Sequence, residues 1–149
     1  MTGKVLRVFY AHPKSMSDDN IDVNAGEIRV RMRDFDRFSA GYDSVDIVPG
    51  RDDFNKYSMS AGSFTAWARE VPQRRDMSTG GRYYGAFVST NAYVGRATAD
   101  ILSGALNVGT PVYYFEPDPD AAGFIKIHTV RAVVVVDADD YLKGWCLDT

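Results

Sequence analysis

The chain has 149 residues, of which 45% are hydrophobic and 25% are charged, which is typical of one folded domain. A chain of this length buries roughly 68–70% of its unfolded surface, so it needs no disulfide or metal to fold. Its net charge of −3 argues against binding to nucleic acid or to an anionic membrane. One cysteine and two histidines exclude an intrachain disulfide and do not supply the usual ligands of a structural zinc site, so no metal is expected.

The first apolar stretch, residues 5–11, is too short for a membrane span and is not followed by the small-residue cleavage site of a signal peptide. We therefore interpret it as a buried strand. The expected location is cytoplasmic, with no membrane partner.

Strand and helix patterns alternate along the chain. Strands are predicted at residues 5–10, 44–48, 83–88, 111–115 and 124–136, with a last short strand within 139–147. Helices are predicted at residues 23–39, 62–71 and 96–108, and the polar stretch 51–60 is predicted as a loop. This order predicts one α/β domain over residues 1–149, with a Rossmann-like (flavodoxin-like), mainly parallel sheet flanked by helices and a β-rich C-terminal extension.

Ligands of such sheets bind at the carboxyl ends of the strands. The rule selects the loops at residues 11–19, 49–55, 89–98 and 116–123. At the first strand end, His12 is able to titrate near neutral pH and to bind a phosphate, and Tyr10 is able to stack on a base or orient a carboxylate. The alternatives are a surface histidine that caps local backbone and a core tyrosine.

The second loop contains the adjacent acids Asp52 and Asp53 beside an arginine. They are candidates for binding ribose hydroxyls or for supplying an ionised acid, and the alternative is a polar turn. Glu116, which begins the fourth loop, is a further candidate ligand-binding residue.

The third loop carries the most chemistry and leads into a helix. Gly95 permits close approach of an anion to the backbone at the helix start, where the helix dipole favours phosphate. Arg96 adds a planar donor, Thr98 adds a hydroxyl, and Asn91 lies just upstream. Asp100, in the first turns of that helix, is a candidate nucleophile or ribose ligand. The alternative is an acid that only stabilises the helix start or lies on its solvated face.

The sequence Phe9-Tyr10-Ala11-His12-Pro13 resembles the Tyr-x-Ala-x-Pro opening of nucleoside 2-deoxyribosyltransferase-like proteins. The segment from Gly95 through Asp100 to Ile101, followed by Gly109-Thr110-Pro111-Val112, is similar to that family's Gly-Thr-x-x-Glu-Ile helix start and Gly-Lys-Pro-Val strand. The related SLOG nucleotide-binding proteins share a similar glycine, small residues and acid. The resemblance covers about residues 4–116.

The resemblance implies hydrolysis or transfer at the N-glycosidic bond of a nucleoside or nucleoside 5′-monophosphate, without a cofactor. Asp100 would attack the sugar C1′, Tyr10 would orient it, and Asp52 or Asp53 would assist the base. It also implies a homo-oligomer in which a neighbour completes the site. The family has Glu where this chain has Asp100, and the spacing to Gly109 is one residue longer.

These two departures support an alternative from another class, a non-catalytic nucleotide-binding or sensing module in which the same loops bind without cutting. A domain of the NAD-consuming TIR type and an accessory protein on the same scaffold are further alternatives. The orientation of Asp100 distinguishes the enzyme from the binding module.

Overall fold

The computed structural model describes residues 4–34, 41–58, 63–135 and 141–148. Four helices in these ranges are α1 (Asp18–Asp34), α2 (Gly50–Ser58), α3 (Phe64–Glu70) and α4 (Arg96–Asn107), with a short 3-10 turn at Val71–Gln73. The strands are β1 (Val5–Ala11), β2 (Ser44–Pro49), β3 (Ala86–Ser89), β4 (Tyr93–Gly95), β5 (Val112–Pro117), β6 (Phe124–Val135) and β7 (Tyr141–Asp148).

The strands form one sheet in the order β2-β1-β3-β5-β6-β7-β4. The strands β2, β1, β3 and β5 are parallel, and β6 lies antiparallel beside β5. The predicted α/β class, with a mainly parallel sheet and flanking helices, is confirmed. Because the chain passes from β1 to β2 on one side and then to β3 on the other, the strand order reverses at β1, where such folds form a crevice.

Alternating side chains of β1 enter two cores, one on each face of the sheet. Leu6, Val8 and Tyr10 pack with α1, whereas Phe9 and Ala11 pack with α3 and α4. Each of these five residues is at most 3% exposed, so β1 is the central element of the domain. Its carboxyl end is therefore held rigidly between two packed layers.

Helix α1 begins at Asp18, five residues before the predicted start. Ser17 accepts a hydrogen bond from the Asn20 amide at 3.3 Å, and Asp18 and Asp19 lie in the first turn, where acids are favoured. The predicted last residues of this helix, 35–39, lie outside the described part of the chain.

The prediction of a loop at residues 51–60 was wrong for residues 51–58, which belong to α2; residues 59 and 60 lie outside the described part of the chain. Pro49 and Gly50 look like helix breakers in sequence, but Pro49 ends β2 and Gly50 begins the helix. The helix is stabilised by tertiary packing, since Phe54 and Tyr57 contact the core that includes Trp67.

Residues 93–95 were also predicted as loop, and they form β4, which pairs with β7. In the described part of the chain, none of the helices combines the length and the apolar character that crossing a bilayer requires.

Candidate functional site

A cavity of about 710 Å³ lies at the carboxyl end of β1, which is within the usual size range of small-molecule sites, about 300–1,000 Å³. Its wall comes from the segment after β1, from the starts of α1, α2 and α4, and from aromatic residues of α2 and α3. Four predicted site residues line it: His12, Gly95, Arg96 and Thr98.

One part of the cavity wall is positively polarised. Helix α4 begins at this wall, its N-cap Gly95 makes no side-chain cap, and its first turn contains no acid. The helix itself therefore supplies neither a side-chain cap nor an acid to the amides at its start, and the helix dipole adds a partial positive charge there. Arg96, in that first turn, also lines the cavity. Lys14, in the segment after β1, lines it too, with its Nζ 5.7 Å from the centroid of the Phe64 ring. This part of the wall is suited to an anion.

A second part of the wall is aromatic. Phe54, Phe64 and Trp67 form mutual ring contacts, with centroids 5.1–5.4 Å apart. Trp67 is only 4% exposed, whereas Phe64 is 41% exposed, so Phe64 presents a ring surface at the edge of a rigid cluster. These residues were not predicted as site residues. Phe64 and Trp67 lie in a predicted helix outside the four selected loops, and Phe54, although it lies in the second loop, has no polar group to indicate binding.

His12 caps the start of α2 and is not positioned as a catalytic base. Its Nε2 accepts a hydrogen bond from the Arg51 amide at 3.0 Å, and its Nδ1 lies 3.0 Å from the Pro13 carbonyl oxygen. This pairing requires the neutral ring with its proton on Nδ1. Burial lowers the pKa of His12, the Arg51 charge lowers it further, and the Pro13 hydrogen bond and Asp52 partly oppose the change.

Because the pKa of His12 is lowered in the folded chain, the unfolded chain binds a proton more readily below pH 6.5, the ordinary value. The free energy of unfolding is therefore expected to decrease as the pH falls below that value. Denaturant unfolding between about pH 7.5 and pH 5 measures this. In the variant His12→Gln, whose amide oxygen accepts the same hydrogen bond without titrating, the decrease should be smaller. An identical pH dependence in both proteins would contradict the prediction.

Arg51 joins α1 to α2 through three carboxylates. Its guanidinium lies 3.1 Å from Asp18, 3.0 Å from Asp22 and 2.9 Å from Asp52. The hydrogen bonds to Asp52, Asp22 and Asp18 raise the pKa of Arg51. Asp52, a predicted site residue, is thus paired with Arg51 and does not line the cavity.

Asp53 is a buried carboxylate that does not line this cavity. It accepts hydrogen bonds from Trp67 Nε1 at 2.8 Å, from Arg74 Nη1 at 2.5 Å and from the Tyr84 hydroxyl. Burial raises the pKa of Tyr84, and the Asp53 charge raises it further. Its hydrogen bond with Trp67 fixes the orientation of the indole ring, which belongs to the aromatic part of the cavity wall.

The structure does not bring the three predicted catalytic residues together at the cavity. Tyr10 is completely buried, and its hydroxyl contacts Asn24 Nδ2 at 3.0 Å and Thr90 Oγ1 at 3.3 Å. Burial raises the pKa of Tyr10 despite these two hydrogen bonds. Asp100 is exposed on α4, and neither Tyr10, Asp52 nor Asp100 is among the residues that line the cavity. The geometry therefore provides no support for attack by Asp100 on a ligand held there.

Two predicted binding residues lie elsewhere. The Asn91 backbone forms a turn with the Ser89 hydroxyl, which donates to the Asn91 carbonyl at 3.0 Å. Glu116 lies on β5, and its Oε1 is 2.8 Å from His128 Nε2. Neither residue lines the cavity.

Among the residues that the structure describes, no group of three or more His, Cys, Asp or Glu side chains is arranged to hold a metal ion. Comparisons with protein-family models, with curated proteins and with solved structures found no match to this chain. The resemblance to nucleoside 2-deoxyribosyltransferase-like proteins therefore stays a prediction from the sequence motifs.

Proposed function

We propose that this protein binds a nucleoside 5′-monophosphate in the cavity beside β1 and holds it without cleaving it. The observation that carries the proposal is the pairing, in one cavity of about 710 Å³, of a cationic wall with an aromatic wall. A nucleotide has the same two parts, an anionic phosphate and a flat base.

The phosphate would bind at the start of α4. Amides at a helix start point toward an anion, and a helix without its own cap or acid leaves that position to a ligand. Lys14 would contribute a point charge, and Arg96 is able to contribute a planar pair of donors. Thr98, which lines the same cavity, would contribute a hydroxyl.

The base would stack on the aromatic wall. A base on an aromatic side chain contributes about 1–3 kcal/mol, with little dependence on which base is bound. Phe64 is 41% exposed, Lys14 Nζ lies 5.7 Å from its ring centroid, and its neighbours Phe54 and Trp67 limit its movement. The base is therefore recognised mainly by stacking in this proposal.

The N-glycosidase or deoxyribosyltransferase hypothesis has less geometric support. Of the described residues that line the cavity, Asp18 is the only carboxylate, and its Oδ1 lies 3.1 Å from Arg51. A carboxylate in this pairing is held by a cation, whereas attack on a sugar carbon requires a free oxygen directed at it. A binding module is thus the better interpretation, and catalysis stays a prediction from the family resemblance.

The test is calorimetric titration with purine and pyrimidine nucleosides and their 5′-monophosphates, with liquid chromatography of the same mixtures for released base. We expect the monophosphates to bind and the nucleosides to bind at least about tenfold more weakly, because they lack the charge-assisted contacts. We expect no base release, and Asp100→Asn should bind like the parent protein. Base release by the parent protein would overturn the binding-only proposal, and its loss in Asp100→Asn would assign the cleavage to Asp100. The absence of any nucleotide binding would overturn the proposal as a whole.

A further inference from the structure

The Arg51 cluster, formed by Arg51, Asp18, Asp22 and Asp52, adds net negative charge at a third part of the cavity, where Arg51 and Asp18 line the wall and Asp22 and Asp52 do not. One guanidinium and three carboxylates give a formal charge of −2. Arg51 and Asp18 both line the cavity, and the side chains of Asp18 and Asp22 are 79% and 66% exposed. The guanidinium already donates to three carboxylates, so it has fewer hydrogen bonds left for an incoming phosphate than its charge suggests.

The start of α2, which also lies at this wall, is an unfavourable position for an anion. His12 Nε2 accepts the Arg51 amide hydrogen at 3.0 Å, and Asp52 and Asp53 occupy the first turn of the helix. These acids already interact with the helix dipole. Among the helices that begin at the cavity, α2 and α4 therefore differ: α4 has neither a side-chain cap nor an acid in its first turn, whereas α2 has both a cap and acids.

From this asymmetry we propose that the site selects ligands with a single phosphate group and disfavours the corresponding diphosphates, with the Arg51 cluster as the specificity determinant. The inference rests on the proposed function, since it concerns the same cavity. A first phosphate at α4 meets cationic groups. A second phosphate that extends along the wall meets a net negative cluster, and like charges brought together at an interface weaken binding.

The test compares a nucleoside 5′-monophosphate with the 5′-diphosphate of the same nucleoside, by calorimetry, on the parent chain and on variants. The parent should bind the monophosphate about tenfold more tightly than the diphosphate. The variant Asp18→Asn/Asp22→Asn brings the cluster to a formal charge of zero and leaves Asp52 as the only carboxylate of the cluster paired with Arg51, so the two affinities should become similar. Asp52→Asn, which removes one charge, should give an intermediate ratio.

The matched control is Asp19→Asn/Asp34→Asn, which removes the same charge from exposed positions of α1 that do not contact Arg51 in the structure. Its ratio should stay near that of the parent. A parent protein that binds the diphosphate more tightly, or cluster variants with the same ratio as the control, would overturn the inference while leaving monophosphate binding intact. Failure to bind either nucleotide would instead overturn the proposed function and this inference with it. Circular dichroism of each variant verifies that it is folded.

Discussion

Replacing Asp53 by alanine is expected to lower the free energy of unfolding by about 3 kcal/mol and the melting temperature by about 10 °C. The carboxylate is 3% exposed and accepts hydrogen bonds from Trp67, Arg74 and Tyr84. Its removal leaves the partly buried Arg74 charge without this partner, and it leaves two buried donors unpaired. Denaturant unfolding followed by tryptophan fluorescence measures the loss directly, because Trp67 is one of the affected donors.

Asp52→Ala is the control for this prediction. The two acids are neighbours in the chain, but the side chain of Asp52 is 46% exposed and paired with Arg51 at the surface. Surface ion pairs contribute about 0–1 kcal/mol, so we expect a decrease of at most that size. Equal losses in the two variants would show that burial of Asp53 does not control stability. Asp53→Ala should also weaken nucleotide binding, because Asp53 orients Trp67 of the aromatic wall.

The second large effect is expected in ligand binding, on removal of the cationic wall. In the double variant Lys14→Ala/Arg96→Ala the affinity for a nucleoside 5′-monophosphate should fall about 100-fold, with about tenfold from each residue. A hydrogen bond to a charged group contributes about 1.5–3 kcal/mol, and about 1.4 kcal/mol corresponds to a factor of ten. The affinity for the uncharged nucleoside should change little, so the preference for the phosphate should largely disappear.

The control for charge alone is Arg29→Ala/Lys126→Ala, which removes two exposed cations of α1 and β6 that do not line the cavity. Its monophosphate affinity should stay within about threefold of the parent value at physiological salt, since distant exposed charges are screened. A similar loss in both double variants would indicate a general effect of net charge and would contradict a phosphate position at the start of α4.

The regular elements of the central sheet could be predicted from the sequence because local patterns determine them. The apolar run of β1 and the periodic apolar positions of α4 are visible in any window of about ten residues. Helix α2 was missed because its sequence is polar and follows Pro49 and Gly50, and because its stability comes from packing of Phe54 and Tyr57 against distant residues. Strand β4 was missed because its partner β7 is remote in the sequence.

The candidate site, too, was predicted correctly in part and missed in part. The rule that ligands bind at strand ends led from the sequence to His12, Gly95, Arg96 and Thr98, which the structure places around one cavity. The same rule included Asp52, Asp53, Asn91 and Glu116, which lie in the selected loops but are engaged elsewhere. The rule therefore predicted which segments of the backbone lie near the cavity, but it did not predict which of their side chains line it.

The alternation of strands and helices, and with it the α/β class, follows from the sequence alone, as does the glycine at the start of α4, because each depends on residues that are close together in the chain. Which polar groups meet could be seen only in the folded chain. Asp53 and Tyr84 are 31 residues apart in the chain, yet they pair in the interior, and Arg51 meets Asp18 across 33 residues. Such pairings depend on how whole helices pack on the sheet, since that packing decides which side chains face a cavity and which face one another.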